Sequence, residues 1–90
     1  MGNLTDGMDI ARVREVASQL KTEAGRIDEV NQNGTTQVGT LGENWLGNDS
    51  EQFASSWQDA SKALQNASAS LQTYSAEAEK QADQQEGASS

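Results

Sequence analysis

The sequence predicts an all-α protein: an antiparallel helix-turn-helix hairpin that dimerises into a four-helix bundle. Two long segments carry apolar residues at alternating steps of three and four, and a Trp-x-Gly corner, Trp45-Leu46-Gly47, lies midway between them. The third observation is composition. With 33% hydrophobic and 4% aromatic residues in a chain of 90, a lone hairpin has little apolar surface to set against its conformational entropy. There is no cysteine or histidine, so neither a disulfide nor a thiolate zinc site can staple the fold. Partner chains are then the remaining source of burial.

Residues 1–8, with two glycines, an asparagine and a threonine, form a flexible lead-in. Asp9 is the expected N-cap of the first helix. From there Ile10, Val13, Ala17, Leu20, Ala24 and Ile27 define one buried face, widened by Val16 and Val30, while Arg14, Glu15, Lys21, Glu23 and Glu29 fall on the solvated side. The register continues through Asn31, Gly34, Val38, Leu41 and Trp45. Between Asn31 and Gly42, however, lie three glycines, four β-branched residues and two asparagines. Each glycine costs about 1 kcal/mol relative to alanine in a helix, so the first helix is expected to fray or bend here. A strand over 35–41 would have no partner, and helix to about Leu41 is the better reading.

The corner spans 45–48. Gly47 can adopt the positive φ that ends a helix, and Asn48 with Glu51 resembles a capping box that starts the next one. Trp45 is read either as a plug between the diverging helix ends or as a partly exposed recognition anchor. In the second helix Phe53, Trp57, Ala60, Leu64, Ala67, Leu71, Tyr74 and Ala78 step by four and three, so Phe53, Trp57 and Tyr74 are expected on the packing face with Leu64 and Leu71. The alanines permit close approach of another helix. The hairpin domain therefore covers 9–80. Residues 81–90, with two alanines as their sole apolar content, are expected to be a disordered tail. Helices of roughly 30 residues would be about 45 Å long and too slender to enclose a core, leaving Val16, Val30, Trp57 and Tyr74 partly bare until a second hairpin covers them.

The charge of -8 and pI near 4.2 argue against nucleic-acid and anionic-membrane binding, since six basic residues cannot form the required surface. No apolar run approaches the roughly 20 residues of a membrane-spanning helix. Met1 to Asp9 lacks the basic start and apolar core of a secretory signal peptide, so any export is expected by another route. Without His or Cys, the commonest general base and thiol chemistry are missing. Ser18-x-x-Lys21 matches a bare acyl-transfer spacing, but its setting on a helix face of a small chain reads as one core leucine among surface residues. Adjacent carboxylates such as Asp28 and Glu29 point apart and are solvated. The glycines at 34, 39, 42 and 47 lack a phosphate-loop ending. No catalytic residue, cofactor or metal is expected.

With Trp45-Leu46-Gly47 near mid-chain, Phe53 on the following helix, long amphipathic arms and no signal peptide, the chain resembles the Trp-x-Gly (WXG) family of small helical hairpins. These are relatives of the early secreted antigenic target exported by type VII (ESX) systems. The resemblance covers nearly the whole length. It implies a non-enzymatic secretion substrate, folded in the cytoplasm, paired with itself or with a sister protein and exported as the folded pair. By the same resemblance Trp45 and Gly47 would supply one half of a composite export signal read by the secretion ATPase, and membrane contact would be made only through that machine. The family's other half is a Tyr with an acid four residues on; here Tyr74 is followed at that spacing by Ala78. In a heterodimer this chain would then contribute the corner. Two other classes compete: a cytoplasmic coiled-coil adaptor or scaffold with convergent patterning, and a membrane-disrupting effector, which the acidic charge disfavours.

Overall fold

The computed structural model describes residues 9–45 and 47–89, with backbone alone at 88 and 89. Two helices, α1 (Ile10–Asn44) and α2 (Asn48–Ser89), lie side by side as an antiparallel hairpin 64 Å long and 19 by 16 Å across. Among the described residues there is no strand, and no helix is long and apolar enough to cross a membrane. The lead-in 1–8 and Leu46 lie outside the described residues.

Asp9 caps α1 as expected: its carboxylate accepts the Arg12 N–H at 3.0 Å and its carbonyl the Val13 N–H at 2.9 Å. The helix then runs unbroken through the glycine-rich stretch where fraying was expected. Packing and local hydrogen bonds explain why. Gly34 seats the ring of Trp57, whose indole N–H donates to Thr35 Oγ1 at 3.0 Å. Ser61 donates to Asn31 Oδ1 at 2.6 Å. Thr40 and Asn44 each donate to the carbonyl four residues back, so their side chains bond within the helix.

The interhelix seam repeats every seven residues on both helices. On α1 it carries Ala17 and Ala24, fully buried, alternating with half-buried Val13, Leu20 and Ile27. On α2 Ser61, Ser68, Ser75 and Ala82 alternate with half-buried Trp57, Leu64, Leu71 and Ala78. Small side chains thus meet small ones: Ser68 donates to the Ala24 carbonyl at 3.3 Å and Ser75 to the Ala17 carbonyl at 2.7 Å. A serine hydroxyl reaches only a short way from its own backbone, so these bonds require the helices to lie close together. They also satisfy hydroxyls that would otherwise be costly to bury. Their partners fall by sevens along α1 as they rise by sevens along α2, which fixes the antiparallel register.

This seam corrects the sequence reading in two places. Phe53 lies outside the hairpin core, 43% exposed, as do Ala60 and Ala67, while Tyr74, expected to stay partly bare in a single hairpin, is 63% exposed. Their seven-residue stripe runs one position before the serine stripe, and serine takes the inward place because the close approach of the helices admits nothing larger. The second correction concerns 81–90, expected to be a disordered tail. Instead α2 continues to Ser89 and Ala82 is fully buried. Ala82 extends the heptad register by one more step, so the helix keeps an apolar contact where composition alone offered none.

Arg14 reinforces this end of the hairpin. Its guanidinium lies 2.9 Å from Asp83, 3.1 Å from Glu86 and 3.5 Å from Glu79. The hydrogen bond to Asp83 leads the effects that raise the Arg14 pKa above its ordinary value, against desolvation, which lowers it. Arg14 is half-buried and its three carboxylate partners are exposed, so salt screens the pairs.

Candidate functional site

Two features of the surface stand apart from a merely self-contained hairpin: the corner and one of the two flanks where α1 meets α2. At the corner α1 ends as Trp45 turns to extended backbone (φ -133, ψ 105), and Gly47 follows at φ +121, a region L side chains rarely adopt. The Gly47 carbonyl accepts the Glu51 N–H at 3.3 Å and the Ser50 hydroxyl at 3.2 Å. Asn48 is therefore already helical and does not serve as the cap that its spacing to Glu51 predicts. Asp49 and Glu51 sit in the first turn of α2, where carboxylates complement the helix dipole.

Trp45 lies over Phe53, ring centroids 5.8 Å apart and planes tilted by 46°. Both rings remain about two-fifths exposed, as does Leu41 on the preceding turn. The corner thus presents an apolar tip built from both helices. The sequence placed Trp45 and Gly47 here correctly; that Trp45 packs on Phe53, rather than between the helices, is a structural finding.

The flanks differ in character. Position in the heptad assigns Arg14, Lys21 and Thr35 of α1, with Gln58, Gln65, Gln72, Glu79 and Glu86 of α2, to one side of the seam. The contacts of Arg14 with Glu79 and Glu86, and of Trp57 with Thr35, lie there. That side is polar throughout. The other side carries Val16 and Val30 of α1, alternating with Glu23 and Gln37, together with Phe53, Ala60, Ala67 and Tyr74 of α2. Val30 is 57% exposed and Tyr74 63%. Three larger apolar groups, Val30, Phe53 and Tyr74, thus stay exposed on this flank.

Of the residues expected to pack, Ala17 is buried and Val13, Leu20, Ile27, Trp57, Leu64 and Leu71 are half-buried along the seam. Ser18 and Lys21 are exposed neighbours on α1, and among the described residues no cluster of His, Cys, Asp or Glu could hold a metal ion. The residues that sequence reasoning missed are Ser61, Ser68, Ser75 and Arg14. Their signal was present as a seven-residue spacing of small residues ending in Ala82, but hydrophobicity ranks that stripe below its aromatic neighbour. Comparison of the chain with protein-family models, curated proteins and solved structures finds no match.

Proposed function

We propose that the chain is a non-enzymatic helical-bundle subunit of the type VII (ESX-like) kind: a substrate or partner that pairs through its apolar flank and is exported as the folded pair. The observation that carries this reading is the corner. A Trp-x-Gly break joins two long antiparallel helices, with Trp45 over Phe53 and bare enough to be touched by another protein. The flank of half-buried Val16 with exposed Val30, Ala60, Ala67 and Tyr74 supports the second half of the reading, burial in a four-helix bundle. In such an assembly Trp45 and Gly47 act as the recognition corner presented to the secretion ATPase.

Trp45→Ala tests the assignment in a cell that carries a type VII system. The expected result is loss of the tagged protein from the culture supernatant, with helicity and pairing of the purified chain retained, because the ring is outside the seam. Export that persists at the wild-type level in Trp45→Ala would remove the corner's role. Retention of the wild-type protein in the cell would instead favour a cytoplasmic adaptor.

A further inference from the structure

The seat that holds Trp57 has a chemical consequence. Of the six asparagines in the chain, Asn33 alone is followed by glycine. That glycine is not interchangeable, because a Cβ at Gly34 would fall 2.3 Å from Cη2 of the Trp57 ring. A glycine after asparagine also leaves the backbone nitrogen open to the side-chain amide, with no Cβ in the way and the widest choice of φ and ψ. When that nitrogen loses its proton and attacks Asn33 Cγ, the N–Cγ bond forms, the bond from Cγ to the side-chain nitrogen breaks, and ammonia leaves. Water then opens the cyclic imide at one or other carbonyl, giving aspartate or isoaspartate at position 33. The net change is water in and ammonia out, with no oxidant or reductant.

The folded hairpin opposes each part of this reaction. Asn33 and Gly34 lie inside α1, where the Gly34 amide bonds to the carbonyl of Val30 and ψ is held at about -42°. Closing the imide ring needs that bond broken and Asn33 turned out of the helical region. Asn33 is exposed, so water and base reach its side chain and the restraint is conformational. The Trp57 ring lies on Gly34 and its indole N–H is bonded to Thr35 Oγ1 at 3.0 Å, so the segment opens only when the ring lifts away. The surrounding glycine-rich stretch adds little helix propensity of its own.

We propose that Asn33 is a modification site, at which the side-chain amide is lost to the Gly34 nitrogen, and that the Trp57 ring is the gate that holds this reaction off while the two helices stay together. Isoaspartate at 33 routes the backbone through Cβ and Cγ. The added carbon shifts the rest of α1 out of heptad phase and takes Gly34 from under the ring. A hairpin left open long enough is thereby marked and kept from closing in the same register.

The full chain is incubated in mildly alkaline buffer, both folded and in guanidinium chloride, and position 33 is followed by peptide mapping for its mass gain and for isoaspartate. The ratio of denatured to folded rates measures the gate in each variant apart from intrinsic chemistry. For the wild type this ratio is expected to be on the order of a thousand, since only the opened fraction reacts. Asn33→Gln is expected to abolish the signal. Thr35→Val keeps the ring without its hydrogen bond and is expected to lower the ratio about fivefold. Trp57→Ala is expected to lower it on the order of a hundredfold. Leu71→Ala weakens the seam two heptads away and is expected to lower it less than Trp57→Ala does. A folded wild type that reacts as fast as the denatured chain, or a ratio unchanged in Trp57→Ala, would overturn the proposal. A Leu71→Ala ratio as low as that of Trp57→Ala would also overturn it, because the gate would then be global unfolding. Should circular dichroism show Trp57→Ala unfolded, Thr35→Val decides in its place, and an unchanged ratio there removes the gate.

Discussion

Trp57→Ala is expected to lower the stability of the hairpin by about 3 kcal/mol, the low end of the range for truncating a packed tryptophan because its ring is only half-buried. Domains of this size are stable by only about 5–15 kcal/mol, so the loss is a large fraction of the total. Gly34→Ala isolates the reason. A Cβ at Gly34 would fall 2.3 Å from Cη2 and 2.4 Å from Cζ2 of the Trp57 ring, and the hydrogen bond to Thr35 resists displacement of that ring. Overpacking of this kind costs about 1–3 kcal/mol, which exceeds the roughly 1 kcal/mol that alanine gains over glycine as a helix former. In the Trp57→Ala background the clash is gone and Gly34→Ala is expected to change sign, stabilising α1 by about 1 kcal/mol. Thermal or urea unfolding of the four chains, followed by circular dichroism at one protein concentration, checks the cycle. Additive effects would contradict the account of how the glycine-rich half of α1 is held.

The second large effect is expected at the serines of the seam. Judged by transfer of apolar surface alone, Ser75→Leu should stabilise by about 2 kcal/mol. The structure predicts the opposite sign. Ser75 is 6% exposed and Ser68 2%, each within hydrogen-bond reach of a carbonyl on α1, so there is no room for three additional carbons in place of the hydroxyl oxygen. Each leucine is expected to cost about 1–3 kcal/mol by forcing the helices apart, and the pair Ser68→Leu, Ser75→Leu to abolish cooperative unfolding. Ser75→Ala, which fits but loses the hydroxyl, should cost only about 1 kcal/mol. A leucine variant more stable than wild type would show that the helices are not held at close range. The same denaturation measurements decide it.

Both effects concern features that hydrophobic periodicity could only half read. The period itself was legible: the steps from Ile10 to Ile27 and from Trp57 to Ala78 identify two helices, Asp9 identifies the first cap, and Trp45 with Gly47 locates the corner. What periodicity could not decide is which of two adjacent stripes on α2 turns inward. Phe53, Ala60, Ala67 and Tyr74 outweigh Ser61, Ser68, Ser75 and Ala82 in hydrophobicity, yet the smaller set fits against Ala17 and Ala24. The choice depends on the distance between the helices, which depends on both helices at once. The fate of 81–90 was hidden for a related reason. Ala82 is an unremarkable residue in a polar stretch until Arg14, some seventy residues earlier in the chain, is brought beside Asp83 and Glu86. Propensity also misjudged 31–42, where Gly34 is a seat for a ring rather than a breaker.

The exposed stripe has the further consequence that hairpin stability and self-association should be linked, since a ligand that binds only the folded state adds to its stability by mass action. Sedimentation equilibrium of the purified full chain over a hundredfold dilution tests the central claim most directly. The account predicts a species of twice the 9.6 kDa chain mass that dissociates on dilution, with the melting temperature falling alongside. A cooperatively folding species of single chain mass at the highest concentration would contradict it.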